Sequence, residues 1–222
     1  MRDGRANVRR DMASKRMTID AGDFDHWLRA TLTSFRTGKG VRVPCGDCRG
    51  CCSAGRFVHV LPSDVRTREA VPARLLVRAP GMPKGHALLG YTDGGLCPML
   101  ADGDCAIYAA RPSTCRAFDC RVLAAAGLQM EGEWGERIDS RVRAWRFSYA
   151  TPLARRRHLA IRRTVAFLRT HAALFPDGRV PAQPMTLAAL AIRVHHVLLE
   201  AKRGAQPEEI ARRMVEASRE RS

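Results

Sequence analysis

Four of the eight cysteines of this chain lie within one stretch of eight residues, 45–52, with the sequence CGDCRGCC. Glycines at Gly46 and Gly50 allow the backbone to fold around a single point, as a ligand loop requires. Thiolate ligands select zinc, iron–sulfur clusters or cuprous copper over magnesium or calcium. We therefore predict that all eight cysteines are metal ligands. The other four are Cys97, Cys105, Cys115 and Cys120.

The length of 222 residues is enough to bury a core without disulfides or metals acting as staples. The first 15 residues are basic and polar and do not predict a signal peptide. No apolar run reaches the length of a membrane span. We therefore expect a cytoplasmic protein with no membrane partner, and in that reducing compartment clustered cysteines bind metals more often than they form disulfides.

The formal net charge of +16 is a signal that is common in nucleic-acid-binding proteins. Lysine contributes at only four positions, however, and the arginines are spread along the chain without an RNA-recognition or helix-turn-helix pattern. A nucleic-acid partner is therefore not favoured, although the charge does not exclude one. A protein partner stays open.

The local patterns predict short strands around the cysteines and helices elsewhere. Asp23 is predicted to cap a helix to about Phe35, and Pro112 to open a helical turn. Further helices are expected at 62–69 and from Thr151, Thr186 and Pro207. Strands are expected at 56–61, 87–91, 96–100 and 105–108.

These elements predict an α+β fold. Its centre is expected to be a small, irregular, cysteine-rich metal-binding core with short antiparallel strands, surrounded by helices and followed by a helical C-terminal region. The predicted units are a basic flexible tail at 1–19, a cysteine-cluster metal-binding domain at 20–130 and a helical region at 131–222 packed on it.

The spacing of Cys45, Cys48 and Cys51 is C-x2-C-x2-C, which bacterial ferredoxin loops also use. In those proteins a cysteine followed by proline supplies a further ligand, and Cys97-Pro98 offers such a pair here. The spacing therefore favours an iron–sulfur cluster. Zinc stays open, because eight thiols could also close two tetrahedral zinc sites.

The cysteine blocks, taken in order, carry a resemblance to a known family. Between residues 43 and 121 the chain resembles the YkgJ-type cysteine-cluster family, which is described as a zinc- or iron-chelating domain. The resemblance implies a metal-binding role for the eight cysteines. The matching blocks are CGDCRGCC at 45–52, CPML at 97–100, CAIY at 105–108, RPSTCR at 111–116 and Cys120.

One branch of that family is associated with N-methylation of flagellin lysines. This chain shows no glycine-rich strand-to-helix loop of the kind that binds the nucleotide of a methyl donor. Taken together, the cysteine pattern and the resemblance leave three functions open. The first is a metalloprotein with a redox or modification role, the second is a structural zinc module that binds a partner, and the third is an enzyme resembling a protein-lysine N-methylase.

Several residues near the cysteines are candidates for a role beside them. Arg111 and Arg116 are predicted to offset thiolate charge or to bind an anionic cofactor or substrate. Tyr108 is counted with them, although its main role is expected to be core packing with its hydroxyl hydrogen-bonded near the site. His59 and His86 are alternative ligands that we do not favour. Smaller roles are expected for Arg49, as a further charge-offsetting residue, and for Asp47 and Asp119, as turn or cap residues.

Overall fold

The computed structural model describes residues 18–130, 132 and 135–220. The predicted tail at 1–19 therefore lies almost entirely outside the described residues. In chain order, the first elements are β1 (Ile19–Asp23), α1 (Phe24–Thr37), β2 (Val58–Val60), α2 (Val65–Ala70), β3 (Leu76–Val77), β4 (Ala87–Leu89), β5 (Leu100–Ala101), β6 (Asp104–Cys105) and α3 (Ser113–Ala117). They are followed by α4 (Arg121–Ala126), α5 (Glu136–Ala144), β7 (Trp145–Ser148), α6 (Pro152–Thr170), α7 (Pro184–Glu200) and α8 (Pro207–Glu220). The predicted α+β class is confirmed.

Most helices pack into one hydrophobic cluster, which we call the helical core. It joins α1 to α4–α8, and it includes residues of the parallel strand pair β1 and β7. Phe24, Leu123 and Ile161 are fully buried in it. The cluster therefore unites residues before the cysteine loop with residues after it. None of the helices in the described ranges is both long enough and apolar enough to cross a bilayer.

A second, smaller cluster, which we call the strand core, lies under the antiparallel sheet β2-β4-β3. Its buried members are Val60, Val71, Ala87, Leu89 and Ile107. The alternating apolar residues of β2 and β4 supply the face that it buries. The cysteine-rich segments lie between these two cores.

The predicted helix capped by Asp23 is confirmed, since the Asp23 carboxylate accepts the His26 N–H at 2.9 Å. Thr151 caps α6 as predicted, through the Ala154 N–H. The helix predicted from Thr186 begins earlier, at Pro184, because proline satisfies the first helical position without an N–H. At the predicted helical turn, Pro112 stands just before α3 rather than at its first position.

The strand predictions around the later cysteines are largely wrong. Residues 97–100 form a turn closed by the Leu100 N–H on the Cys97 carbonyl at 2.9 Å, and only Leu100 and Ala101 are extended. The next strand ends at Cys105, because Tyr108 begins a 3-10 turn. Strands β1 and β7 were not predicted. They pair with each other across more than 120 residues, which local patterns do not report.

His158 on α6 stacks on Phe24 with ring centroids 4.7 Å apart, and its Nδ1 lies 2.6 Å from the Tyr149 hydroxyl. Burial, followed by the nearby Arg162 charge, lowers the pKa of His158 from 6.5 to about 4. Between these two values the unfolded chain binds the proton and the folded protein does not. The protonation of His158 therefore costs no stability above pH 6.5, and it destabilises the folded state increasingly as the pH falls toward 4.

We expect His158→Phe, which keeps the ring stacking, to remove this part of the acid dependence. The slope removed should be about 1 kcal/mol per pH unit near pH 5. Urea unfolding at several pH values measures it. Tyr149→Phe is the control, because it keeps the imidazole and should retain the slope. An unchanged slope in His158→Phe would show that another group causes the acid loss.

Candidate metal centre

The cysteine loop, residues 45–52, is a series of tight turns without regular strands. The Cys48 N–H donates to the Cys45 carbonyl at 3.1 Å, and the Cys52 N–H donates to the Arg49 carbonyl at 3.0 Å. Gly46 has φ of 53°, a conformation that glycine adopts at little cost. A 3-10 turn over Gly50–Ser53 then carries Cys51 and Cys52. The predicted ligand loop therefore folds back on itself.

Two arginines hold this loop in place. Arg49 donates to the Gly103 carbonyl at 2.7 Å and forms an ion pair with Asp104, so it joins the loop to the β5–β6 turn. Arg141 of α5 donates to the Cys45 carbonyl at 2.6 Å and to the Pro44 carbonyl at 3.0 Å. Arg49 thus acts as a loop tie as well as a positive charge. No sequence motif indicated Arg141, which is 96 residues away from Cys45 in the chain.

Gly50 is placed directly against α5. A Cβ atom at this position would lie 2.4 Å from the Arg137 carbonyl oxygen, which is backbone and cannot move aside. We expect Gly50→Ala to destabilise the protein by about 1–3 kcal/mol, since overpacking forces backbone shifts. Chemical denaturation measures the change.

Gly94→Ala is the matched control for this substitution. A Cβ atom there would meet no atom closer than 3.9 Å, so the change should stay within about 0.5 kcal/mol. Equal effects of the two substitutions would contradict the close approach of the loop to α5.

The later cysteines are held by both cores. The Cys97 N–H donates to the Cys52 carbonyl at 2.6 Å, and Cys105 pairs with Leu100 between β5 and β6. Cys115 lies on α3, which Asp64 anchors by accepting the Ser113 N–H at 2.9 Å. Three of the later cysteines, Cys105, Cys115 and Cys120, line the same cavity as the loop, and Cys97 is joined to the loop by its backbone hydrogen bond.

Cys120 has a different setting, within the helical core. Its residue is 8% exposed, and its Sγ lies 3.2 Å from the indole Nε1 of Trp145. The preceding Asp119 is buried and binds the Arg121 guanidinium, with Oδ2 2.8 Å from Nη2. Asp119 also accepts the Trp27 indole N–H at 3.0 Å and the Arg121 N–H at 2.9 Å. The predicted cap role of Asp119 is therefore joined to a buried ion pair.

Seven of the eight cysteines line one cavity of about 1010 Å³. The eighth, Cys97, packs against the strand core. All eight are free thiols. The cysteines in the lining are Cys45, Cys48, Cys51, Cys52, Cys105, Cys115 and Cys120.

Burial and mutual proximity control the charge on these thiols. Burial raises the pKa of Cys45 and Cys97, and it raises the pKa of Cys115 and Cys120 to about 12. Cys51 differs, because the hydrogen bond from the Cys52 thiol, at an Sγ–Sγ distance of 4.0 Å, lowers its pKa to about 7. The same bond raises the pKa of Cys52. Without a cation, most of these thiols are therefore protonated at neutral pH.

The three predicted cofactor-binding residues, Arg111, Arg116 and Tyr108, all line the cavity. Arg111 covers the Tyr108 ring at 3.6 Å, and Arg116 lies 3.4 Å from the Asp64 carboxylate. The prediction that Tyr108 packs in the core is wrong, because its residue is 65% exposed. Its ring forms the mouth of the cavity under Arg111.

The two histidines considered as alternative ligands contact each other. His59 Nε2 lies 2.7 Å from His86 Nδ1, and His59 is on β2. Neither residue is among those that line the cavity. Their geometry explains them as a hydrogen-bonded pair.

Among the described residues, no three His, Cys, Asp or Glu side chains are arranged so that they could hold a metal ion as they stand. The chemistry of the lining nevertheless suits a soft metal, because its donors are thiols and no histidine is among them. Among the described residues of the lining, the acidic side chain is that of Asp104, which forms an ion pair with Arg49. The donor set therefore fits thiolate ligation, and the thiol side chains would have to move closer together to bind an ion.

Comparison of the chain with protein families, with curated proteins and with solved structures gives no match. The resemblance to the YkgJ-type family therefore stays a prediction that rests on the cysteine blocks.

Proposed function

We propose that this protein is a metalloprotein whose cysteines hold an iron–sulfur cluster or zinc by thiolate ligation. The observation that supports the proposal most is the convergence of seven cysteines on one cavity. These cysteines are spread over 76 residues of sequence, from Cys45 to Cys120, so it is the tertiary fold that brings their side chains to one cavity. An iron–sulfur cluster would supply electron transfer, and zinc would supply a structural crosslink or a Lewis acid.

The arginines of the cavity support this proposal. Four thiolates around a divalent ion leave a net negative charge, which nearby guanidinium groups offset. Arg111, Arg116 and Arg141 lie in the lining and supply that positive charge. Arg111, which covers the exposed Tyr108 ring, also suits an anionic substrate, and this supports a modification role.

A structural metal site is the second candidate, and the position of the cavity favours it. The cavity lies between the helical core and the strand core, and the cysteines come from both. A metal bound there would join two hydrophobic cores that have no buried member in common. Structural metal sites contribute free energy of folding directly.

Anaerobic purification followed by metal and acid-labile sulfide analysis tests the proposal. Iron with sulfide supports the cluster, and stoichiometric zinc without sulfide supports the structural site. Protein that binds neither metal, even after reconstitution under reducing conditions, would refute the proposal.

Cys48→Ser is expected to reduce the bound metal by at least the ion or cluster that this thiolate helps to hold, because serine replaces a soft ligand with a hard hydroxyl. The Cys48 side chain lies in the cavity lining and at the centre of the cysteine loop. Metal content per folded protein is the measurement. Tyr108→Phe is the control from the same cavity and should keep the full metal content. Full metal content in Cys48→Ser would exclude this residue as a ligand.

A further inference from the structure

We propose that the eight cysteines form two separate metal sites of four thiolates each, one on each wall of the cavity. The inference rests on the proposed function, because it assigns the ligands within that same site. Four cysteines satisfy either a zinc ion or an iron–sulfur cluster, so the division holds for both metals. We call the side of the cavity formed by the helical core the helical wall and the side formed by the strand core the strand wall. The site on the helical wall takes Cys45, Cys48, Cys51 and Cys120. The site on the strand wall takes Cys52, Cys97, Cys105 and Cys115.

The backbone of the cysteine loop is attached to the helical wall at Cys45 and at Gly50. The Arg141 guanidinium of α5 donates to the Cys45 carbonyl at 2.6 Å, and Gly50 packs on the backbone of α5. Cys120 is a buried member of the helical core, where the Trp145 indole is directed at its sulfur at 3.2 Å. An N–H group directed at a sulfur stabilises the thiolate form that a metal requires. Cys120 is therefore the remote ligand that completes the loop's three-cysteine run.

The end of the loop, at Cys52, and the residues that follow it are attached to the strand wall. The Cys52 carbonyl accepts the Cys97 N–H at 2.6 Å, and the Gly55 N–H donates to the Gly95 carbonyl at 2.9 Å. Both Cys97 and Cys105 pack against the strand core. Cys115 belongs to the same wall, because α3 is tied to β2 by the hydrogen bond from the Thr114 hydroxyl to the His59 carbonyl at 2.8 Å.

Cys51 is the thiol at the boundary, since it follows Gly50, which packs on α5, and precedes Cys52, whose carbonyl accepts the Cys97 N–H. Its assignment follows from the number of ligands. With Cys51, the helical wall has four thiols, and without it that wall has three and the strand wall five. Four thiolates complete a tetrahedral site, so the boundary falls between Cys51 and Cys52. These two sulfurs lie 4.0 Å apart, and each can face its own ion.

Reconstitution of the full reduced chain with cadmium-113 tests this division, because through-bond proton–cadmium correlations assign each cysteine to its ion. We expect two cadmium ions per chain and two signals, each correlated with the four cysteines of one wall. Cys120→Ser should remove only the first signal, and Cys105→Ser only the second. Trp145→Phe keeps every thiol and an apolar ring, and it should shift the first signal alone.

The outcomes separate the two proposals. A chain that binds neither cadmium nor its native metal would refute metal binding itself. A chain that binds cadmium with one cysteine correlated to both ions, or with Cys120 and Cys105 on the same ion, would overturn the division while metal binding stands. A shift of both signals in Trp145→Phe would also overturn it, even if the serine variants fail to fold.

Discussion

Asp119→Ala is expected to lower the free energy of unfolding by about 3–5 kcal/mol, because it leaves the Arg121 guanidinium buried without its counterion. The two side chains are 2% and 8% exposed. Arg121 would keep only neutral acceptors, the carbonyls of Ala21 and Arg42 at 3.2 and 3.1 Å. The Trp27 indole N–H would lose its acceptor as well.

Urea denaturation of the metal-free protein measures this change without a contribution from metal binding. Glu216→Ala is the matched control, since it breaks an exposed ion pair with Arg212 one helical turn away. Such pairs contribute about 0.5 kcal/mol or less. A loss below about 1 kcal/mol in Asp119→Ala would mean that solvent reaches Arg121, contrary to its burial.

Removing the metal that we propose is the second change from which we expect a large effect. A ligand present at a thousand times its dissociation constant stabilises the folded state by about 4 kcal/mol. The segment between α1 and β2 contains only a short 3-10 turn. The conformation of the cysteine loop therefore depends on its hydrogen bonds to neighbouring elements and on any ion bound between the cores. We therefore expect metal-depleted protein to unfold at a clearly lower urea concentration than loaded protein.

Magnesium and calcium are the controls for this comparison. They prefer oxygen ligands and should not restore the stability that depletion removes. If loaded and depleted protein unfold at the same urea concentration, the metal does not connect the two cores. The structural candidate would then be excluded.

The sequence predicted the helices well where capping residues and apolar spacing coincide. Asp23 and Thr151 are examples, because a cap is a local interaction between neighbouring residues. The sequence also predicted β2 and β4, which lie within the expected strands 56–61 and 87–91. It predicted β5 and β6 poorly, because they are only two residues long and a turn decides their ends. The pairing of β1 with β7 is non-local and leaves no local pattern.

The candidate site shows the same contrast. The sequence predicted that the cysteines and the two flanking arginines, Arg111 and Arg116, belong to one site, and both arginines line the cavity. Arg141 and Trp145 were missed, because they reach the cysteines from α5 and from the start of β7, far along the chain. The exposure of Tyr108 was also missed, since an aromatic residue between cysteines suggests packing rather than a cavity mouth.

X-ray absorption at the metal edge of anaerobically purified protein tests thiolate ligation directly. We expect a first coordination shell of sulfur alone, at about 2.3 Å if the metal is zinc. Replacing Cys120 by serine should then reduce the number of sulfur neighbours. A first shell made mainly of nitrogen or oxygen would contradict the claim that the cysteines hold the metal.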